Sequence, residues 1–277
     1  MAELACAAFK AYELTGAGAV ADANPAVFIH ALMMLQSLDL TAPEATPVVE
    51  QLRQIPSALK FMLDHDLLHI GAMGMTTAAV CAQICAVVFG KQEDADSFDF
   101  TEAQVDALAV YMQDAFDGAL RFFVQATPHF LKPIEALCIS DANKVLLVRS
   151  SALVPLLVAT MFLEADHPRN GGDVDVDEAV KAAVQTDAAN CFLQIAVFGP
   201  GREMLAADGA AMGALHALAD GHALTPEAKL SAAGAILAIE GRTHEPQPES
   251  MAAEHGAGGR HVMVSCKSHN ICKLAGL

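Results

Sequence analysis

An internal repeat is the feature of the sequence that most restricts its fold. Residues 140–157 and residues 199–216 share one order of positions: a polar break, a short apolar segment, a corner of small residues and a second apolar segment. A longer segment with apolar residues at every third or fourth position follows in both cases, Val176–Phe198 and Pro226–Glu240. Because no helix in such a triplet can bury its apolar face alone, the repeat predicts that successive triplets stack on one another.

Local signals predict where several helices begin and end. Thr101 followed three residues later by Gln104 is a capping-box pattern, which is typical of a helix start. Gly199–Gly201, with a proline between the two glycines, ends the preceding helix, because proline lacks the backbone donor and glycine relaxes the backbone. Pro226 is suited to the first position of the last helix, and Gly241 ends that helix.

The composition favours helices and restricts the class of partner. Hydrophobic residues make up 54% of the 277 residues, aromatic residues only 5%, and tryptophan is absent. Strands prefer β-branched and aromatic residues, whereas closely stacked helices suit this mixture. The formal net charge of −17 would repel a phosphate backbone, so we expect a protein or an extended peptide as the partner, basic in character, and no nucleic acid.

Residues 143–157 (NKVLLVRSSALVPLL) resemble the armadillo repeat, in which a short first helix carries an asparagine and the second helix begins near a glycine or serine. In the third helix, Cys191–Ala196 (CFLQIA) matches the family pattern Ala-Leu-x-Asn-Leu-Ala, with Gln194 at the position of the asparagine. The resemblance is clearest over residues 125–240. It implies an all-α, armadillo-type superhelical (α-solenoid) fold for residues 1–241.

A narrow polar strip on the third helix is the candidate binding surface. Asp187, Asn190 and Gln194 fall on one side of a helix that is otherwise mostly apolar. In armadillo proteins this helix lines the concave groove, so the resemblance implies that Gln194 hydrogen-bonds the backbone of an extended peptide. An amide can both donate and accept, which suits a peptide unit. The alternative is that the strip simply faces water.

The composition changes after Gly241. Residues 242–260 are rich in Pro, Gly and Glu and lack apolar periodicity, which predicts a disordered, flexible linker. The apolar run His261–Cys266 resembles the first strand of a TIR domain, so residues 261–277 are predicted to be a TIR-like stub, either a natural end or a truncated domain. Cys266 stands where the family has an aromatic residue, and Ser268 where it has tryptophan. The glutamate that cleaves nicotinamide cofactors in catalytic TIR domains lies beyond this strand.

These features together predict a protein-binding scaffold or adaptor with no catalytic activity and no cofactor of its own. The TIR-like stub suggests a role in signalling. Seven cysteines are scattered along the chain, and residues 1–16 lack the basic start and apolar run of a secretory signal. We therefore predict buried thiols in a reducing compartment and a cytoplasmic location.

His65 and His69 suggest a protein of another class, a metal-dependent hydrolase. On a helix the two imidazoles would lie one turn apart, which is the spacing of zinc-binding helices. Catalytic zinc needs three protein ligands, and no third ligand is recognisable downstream. The sequence therefore favours two partly buried histidines and predicts no metal site.

Leu67–Phe89 is long enough to span a bilayer and carries no acidic or basic residue except a histidine. Thr77 and Gln83 are polar, and acidic residues flank the segment on both sides, so no basic anchor sets an orientation. We predict a buried core helix, and the membrane-spanning interpretation is the alternative. Cys81 and Cys85 lie one turn apart on this helix, where free thiols ordinarily act as small apolar residues.

Overall fold

A computed structural model describes residues 38–64, 69–70, 75–91, 98–116, 129–163 and 178–241, together with Leu32 and Leu35. Every described element longer than two residues is helical, which confirms the predicted all-α class. The linker at 242–260 and the TIR-like stub at 261–277 lie outside the described residues, as does Val176 at the predicted start of the third helix.

The described residues form eleven α-helices and one pair of very short strands. The helices are α1 (Thr46–Arg53), α2 (Pro56–Asp64), α3 (Thr77–Phe89), α4 (Glu102–Phe116), α5 (Lys132–Leu137), α6 (Asp141–Leu147), α7 (Leu153–Met161), α8 (Glu178–Ala196), α9 (Gly199–Ala207), α10 (Gly209–Ala217) and α11 (Pro226–Glu240). A 3-10 turn (Pro43–Ala45) precedes α1, and a π-helical turn (Leu218–His222) follows α10. The strands β1 (His69–Ile70) and β2 (Met75–Thr76) pair antiparallel, with His69 opposite Thr76.

The prediction of one continuous core helix over Leu67–Phe89 is wrong in its first part. The helix α3 begins only at Thr77, and His69 lies in the strand β1. The sequence between the two strands contains Gly71 and Gly74, and glycine in a helix interior is unfavourable because it loses the most backbone freedom. The helical spacing assumed for His65 and His69 therefore does not hold.

The predicted helix ends are confirmed where local signals are strong. The backbone N–H of Thr101 donates to Gln104 Oε1 at 2.9 Å, and the N–H of Gln104 donates to Thr101 Oγ1 at 3.3 Å, which is the reciprocal capping box. The last helix begins at Pro226 and ends at Glu240, with the Thr225 hydroxyl accepting from the N–H of Ala228 at 3.0 Å. The preceding helix, α8, ends at Ala196, and Gly199–Gly201, which were predicted to end it, instead form the first turn of α9.

Helices at equivalent places in the two triplets contact each other. The first helices α6 and α9 pack together, as do the second helices α7 and α10 and the third helices α8 and α11. The third helix of the first triplet also packs against α5, which in turn contacts α3. The side chain of Phe192 in α8 is 0% exposed, and those of Ala188 and Ile195 are equally buried. The apolar face of α8 is thus covered by its neighbours, as the triplet pattern requires.

The start of α10 depends on one carboxylate. Asp208 Oδ1 accepts hydrogen bonds from the backbone N–H groups of Ala210 and Ala211, both at 2.9 Å. We expect Asp208→Ala to lower the free energy of unfolding by about 1 kcal/mol, because these two donors lose their acceptor. Urea unfolding followed by circular dichroism measures the change. Asp208→Asn keeps the acceptor and should stay close to the unmodified chain, and equal loss in both variants would contradict this role for the cap.

Candidate functional site

A groove of about 830 Å³ lies against helices α1, α3, α5 and α8. The helix α8 contributes Asn190 and Gln194, two of the three residues in the predicted polar strip. Residues of α1 and of the segment just before it also line the groove, as does Val87 of α3. Ile139, which follows α5, is 43% exposed and lines the same space. The groove therefore presents both amide and apolar groups.

Charged side chains of both signs line the groove. Arg53, Lys91 and Lys132 are basic, and Glu50 and Glu135 are acidic. Arg53 also donates from Nε and Nη2 to the carbonyl oxygen of Val88, at 3.3 and 3.4 Å, and so ties α1 to the end of α3. The balanced lining differs from the overall charge of −17, so the net charge alone does not determine which segment fits here.

The two amides differ in how strongly the protein already uses them. Asn190 is half-buried, and its Oδ1 accepts from the hydroxyl of Ser231 at 2.6 Å while its Nδ2 donates to Glu227 Oε1 at 3.5 Å. Gln194, one turn further along α8, is exposed. The Asn190 amide therefore joins α8 to α11, and the Gln194 amide is the group better placed to meet a ligand.

The third residue of the strip, Asp187, is buried in an ion pair. Its Oδ1 accepts from Lys132 Nζ at 2.7 Å, and the same Nζ donates to Glu135 Oε2 at 2.7 Å. The side chain of Asp187 is 8% exposed, whereas that of Lys132 is 26% exposed. The lysine thus joins α5 to α8 from a position on the groove wall.

Burial changes the acid–base properties of this pair. The low polarity around Asp187 raises the pKa of its carboxyl to about 6, against the opposing effect of Lys132. Burial also acts to lower the pKa of Lys132, but hydrogen bonds to Asp187 and Glu135 outweigh it and the pKa rises. The lysine therefore stays charged, while the carboxyl is much more easily protonated than an exposed aspartate.

One oxygen of this carboxylate has no hydrogen-bond partner. Within the part of the chain that the structure describes, Asp187 Oδ2 is buried without a donor. Buried carboxylate oxygens are ordinarily satisfied, because leaving one unpaired costs the desolvation of a charged group. The arrangement is chemically able to accept one more donor next to the groove.

The other sequence candidates do not assemble into a site. His65 lies outside the described residues, and His69 is placed in β1. No group of three or more His, Cys, Asp or Glu side chains within the described ranges is arranged to hold a metal ion. Among the same residues, no helix combines the length and the apolar character that crossing a bilayer requires.

Four of the seven cysteines are described, and all four are buried free thiols, as predicted. Cys81 Sγ lies 3.8 Å from Cys85 Sγ and 3.3 Å from the carbonyl oxygen of Leu59. Burial, together with Cys81, raises the pKa of Cys85 well above its ordinary value. A hydrogen bond with Cys138, together with burial, does the same to the pKa of Cys191. Because the thiolate is the reactive form, Cys85 and Cys191 act as core residues.

Two polar residues that the sequence did not identify are important for the geometry. Lys132 meets Asp187 across 55 positions of sequence. Gln185 is 2% exposed, and its Nε2 donates to the carbonyl oxygens of Met161 at 2.9 Å and His222 at 3.2 Å, while its Oε1 accepts from the N–H of Leu224 at 2.7 Å. This amide fastens the end of α7 and the connection before α11 to α8.

Comparison with known proteins bears on the family to which the chain belongs. The armadillo resemblance rests on residues 143–157 and 191–196, and the TIR resemblance on residues 261–266. No protein-family model, no curated protein and no solved structure matches the chain.

Proposed function

We propose that the chain is an armadillo-like α-solenoid scaffold that binds an extended segment of a partner protein in its groove. In this proposal it has no catalytic activity and no cofactor of its own, and it acts as an adaptor in the cytoplasm, in a signalling role. The observation that carries the proposal is the placement of two amides, Asn190 and Gln194, in a groove of about 830 Å³. Such a groove is of the size that takes a short peptide segment.

The chemistry of the groove suits a peptide better than a small polar metabolite or a nucleic acid. A side-chain amide can pair with the N–H and C=O of a peptide unit without reading its side chain. Exposed apolar residues such as Ile139 offer contacts to the side chains between those peptide units. The net charge of −17 disfavours a phosphate backbone.

The contacts between equivalent helices support the repeat architecture. In an α-solenoid each unit packs chiefly against its neighbours, so that like helices of successive units meet. The pairs α6 with α9, α7 with α10 and α8 with α11 follow that rule. The third helix of the first triplet, α8, contributes both amides to the groove.

Binding to Gln194 is the sharpest test of the groove. Linear peptides selected from a displayed random library against the intact chain provide the probe, and calorimetry measures their affinity. We expect Gln194→Ala to weaken the selected peptides roughly tenfold, because about 1.4 kcal/mol of hydrogen bonding to the peptide backbone is lost. Gln194 is preferable to Asn190 for this purpose, since Asn190 also holds Ser231.

The control for this experiment is an exposed polar residue on a first helix. Glu203 is exposed on α9, away from the residues that line the groove. Peptide affinity should be unchanged in Glu203→Ala, and the unfolding midpoint should be unchanged in both variants. Equal affinity for the unmodified chain and Gln194→Ala, or failure of the library to yield any binder, would refute binding in this groove.

A further inference from the structure

We propose that the segment bound in the groove presents an arginine side chain to Asp187 and Glu227, which together form a guanidinium site between α8 and α11. The proposal rests on the proposed function and specifies the chemistry of the partner. Three observations support it: the balance of charges around Asp187, its unpartnered oxygen, and the second ion-pair partner that leaves Lys132 free to shift.

Carboxylates outnumber cations around Asp187. Glu135 on α5 and Glu227 on α11 both lie close enough to Asp187 to raise the pKa of its carboxyl by repulsion. Lys132 is the one cation that acts on this carboxyl among the described residues. Lys132 pairs with Asp187 and Glu135 at once, and Glu227 adds a third carboxylate nearby, so the surplus of negative charge favours a second cation.

The unpartnered oxygen shows where a second donor is missing. Asp187 is more than nine-tenths buried, and its Oδ2 is unpaired within the described part of the chain. The neighbouring helix α11 contributes Glu227, which the structure pairs with Asn190 at 3.5 Å, the long end of hydrogen-bond distances. Glu227 is exposed, so the buried Oδ2 of Asp187 is the poorly satisfied oxygen of the two carboxylates. Each carboxylate contacts a residue that lines the groove, Lys132 for Asp187 and Asn190 for Glu227.

A ligand reaches the buried oxygen only if a side chain moves, and Lys132 can move. It lines the groove, is 26% exposed and has Glu135 as a second partner at 2.7 Å. When a second cation enters at Oδ2, Lys132 can move aside while it keeps its bond to Glu135, and both cations then face the Asp187 carboxylate. The entry therefore leaves no charge without a partner, which is the condition for a favourable buried ion pair.

Arginine fits this position better than lysine. The receiving carboxylate is buried, and a guanidinium is more weakly hydrated than an ammonium, so less hydration is lost on entry. Its fork of N–H donors can also serve two acceptors at once, here Asp187 and Glu227. A lysine-type ammonium offers neither advantage.

The pKa of Asp187 reports directly on the entry of a cation. Carbon-13 NMR follows the titration of the Asp187 carboxyl group in the intact chain, and the Asp187→Asn variant identifies its signal. The titration is repeated in ethylguanidinium chloride, in ethylammonium chloride and in sodium chloride at equal ionic strength. A bound guanidinium favours the ionised carboxylate, so we expect the pKa of Asp187 to fall by about 1 in ethylguanidinium relative to sodium chloride. We expect little change in the pKa of Asp187 in ethylammonium, because an ammonium is more strongly hydrated.

The outcomes separate this site from the groove itself. Removal of the effect in Glu227→Gln would support the two-carboxylate site. Equal pKa values of Asp187 in the three salts, or an equal fall in ethylammonium, would overturn it. Equal values are the result if a buried water already satisfies Oδ2. Selected peptides that bind through Gln194 without containing arginine would overturn the arginine site and leave the groove standing. If the pKa of Asp187 falls only in ethylguanidinium and the library yields no peptide binder, the guanidinium site stands and peptide binding in the groove is refuted.

Discussion

Phe192→Ala is expected to lower the free energy of unfolding by about 3–5 kcal/mol, a large part of the stability of an ordinary domain. Phe192 is 0% exposed in the middle of α8, the helix that contacts α5, α7, α9 and α11. Removing the ring leaves a cavity that these helices share, so the loss includes the transfer of the ring to water and the unfilled space. Urea unfolding of the intact chain measures the change.

Phe162→Ala removes the same atoms from a residue that is 40% exposed, and it serves as the matched control. Its cost should be less than half that of Phe192→Ala, because part of the ring is already in water and no closed cavity forms. Similar losses for the two variants, or a loss below about 1 kcal/mol for Phe192→Ala, would show that α8 is not at the centre of the packed helices.

Asp187→Asn is expected to stabilise the chain at pH 7, by up to about 3 kcal/mol. The fold raises the pKa of Asp187 from 3.8 to about 6, so the folded state favours the protonated carboxyl. For such a group stability is highest below pH 4 and falls as the pH rises through the window between these two values. Asparagine resembles the neutral carboxyl at every pH, and the difference between the variants should vanish near pH 4.

The pKa values of Lys132 and Asp187 give opposite indications of whether their ion pair stabilises the fold. The raised pKa of Lys132 implies a favourable pair, whereas the raised pKa of Asp187 implies that its charged form is unfavourable in the fold. The carboxylate decides the outcome because it is the more buried of the two, so loss of hydration weighs most on it. Lys132 keeps Glu135 as a partner in the variant.

Urea unfolding at pH 7 and at pH 4 measures this difference, with Asp208→Asn as the control. Asp208 is a half-buried carboxylate that caps α10, and asparagine keeps the capping acceptor, so its replacement should change stability little at either pH. A loss of stability in Asp187→Asn at pH 7 would mean that the bond to Lys132 outweighs the burial of the carboxylate, which is the opposite of the balance we expect.

Helix ends could be predicted from the sequence because their causes are local. Thr101 and Gln104 lie three residues apart and satisfy each other's backbone donors, and Pro226 needs no partner outside its own turn. The predicted start of α3 was wrong because the prediction gave more weight to the apolar composition of residues 67–76 than to Gly71 and Gly74. Composition alone does not distinguish a helix from a short hairpin.

The candidate site was only partly predictable, because half of it depends on contacts far apart in sequence. The helical period alone puts Asp187, Asn190 and Gln194 on one side of α8. The helical period does not show that α5 lies against Asp187, nor that Lys132 is its charge partner. The groove itself depends on how α1 and α5 approach α8, which no local pattern records.

Photo-crosslinking tests the central claim, a groove that receives an extended peptide, most directly. A benzophenone side chain is introduced at Ile139, which lines the groove, or at Glu203, which is exposed on α9, and the selected peptides are irradiated with each protein. We expect crosslinks from position 139, competed by unlabelled peptide, and none from position 203. Crosslinks of equal yield from position 203, or their absence at position 139 while the peptide stays bound, would contradict binding in the groove.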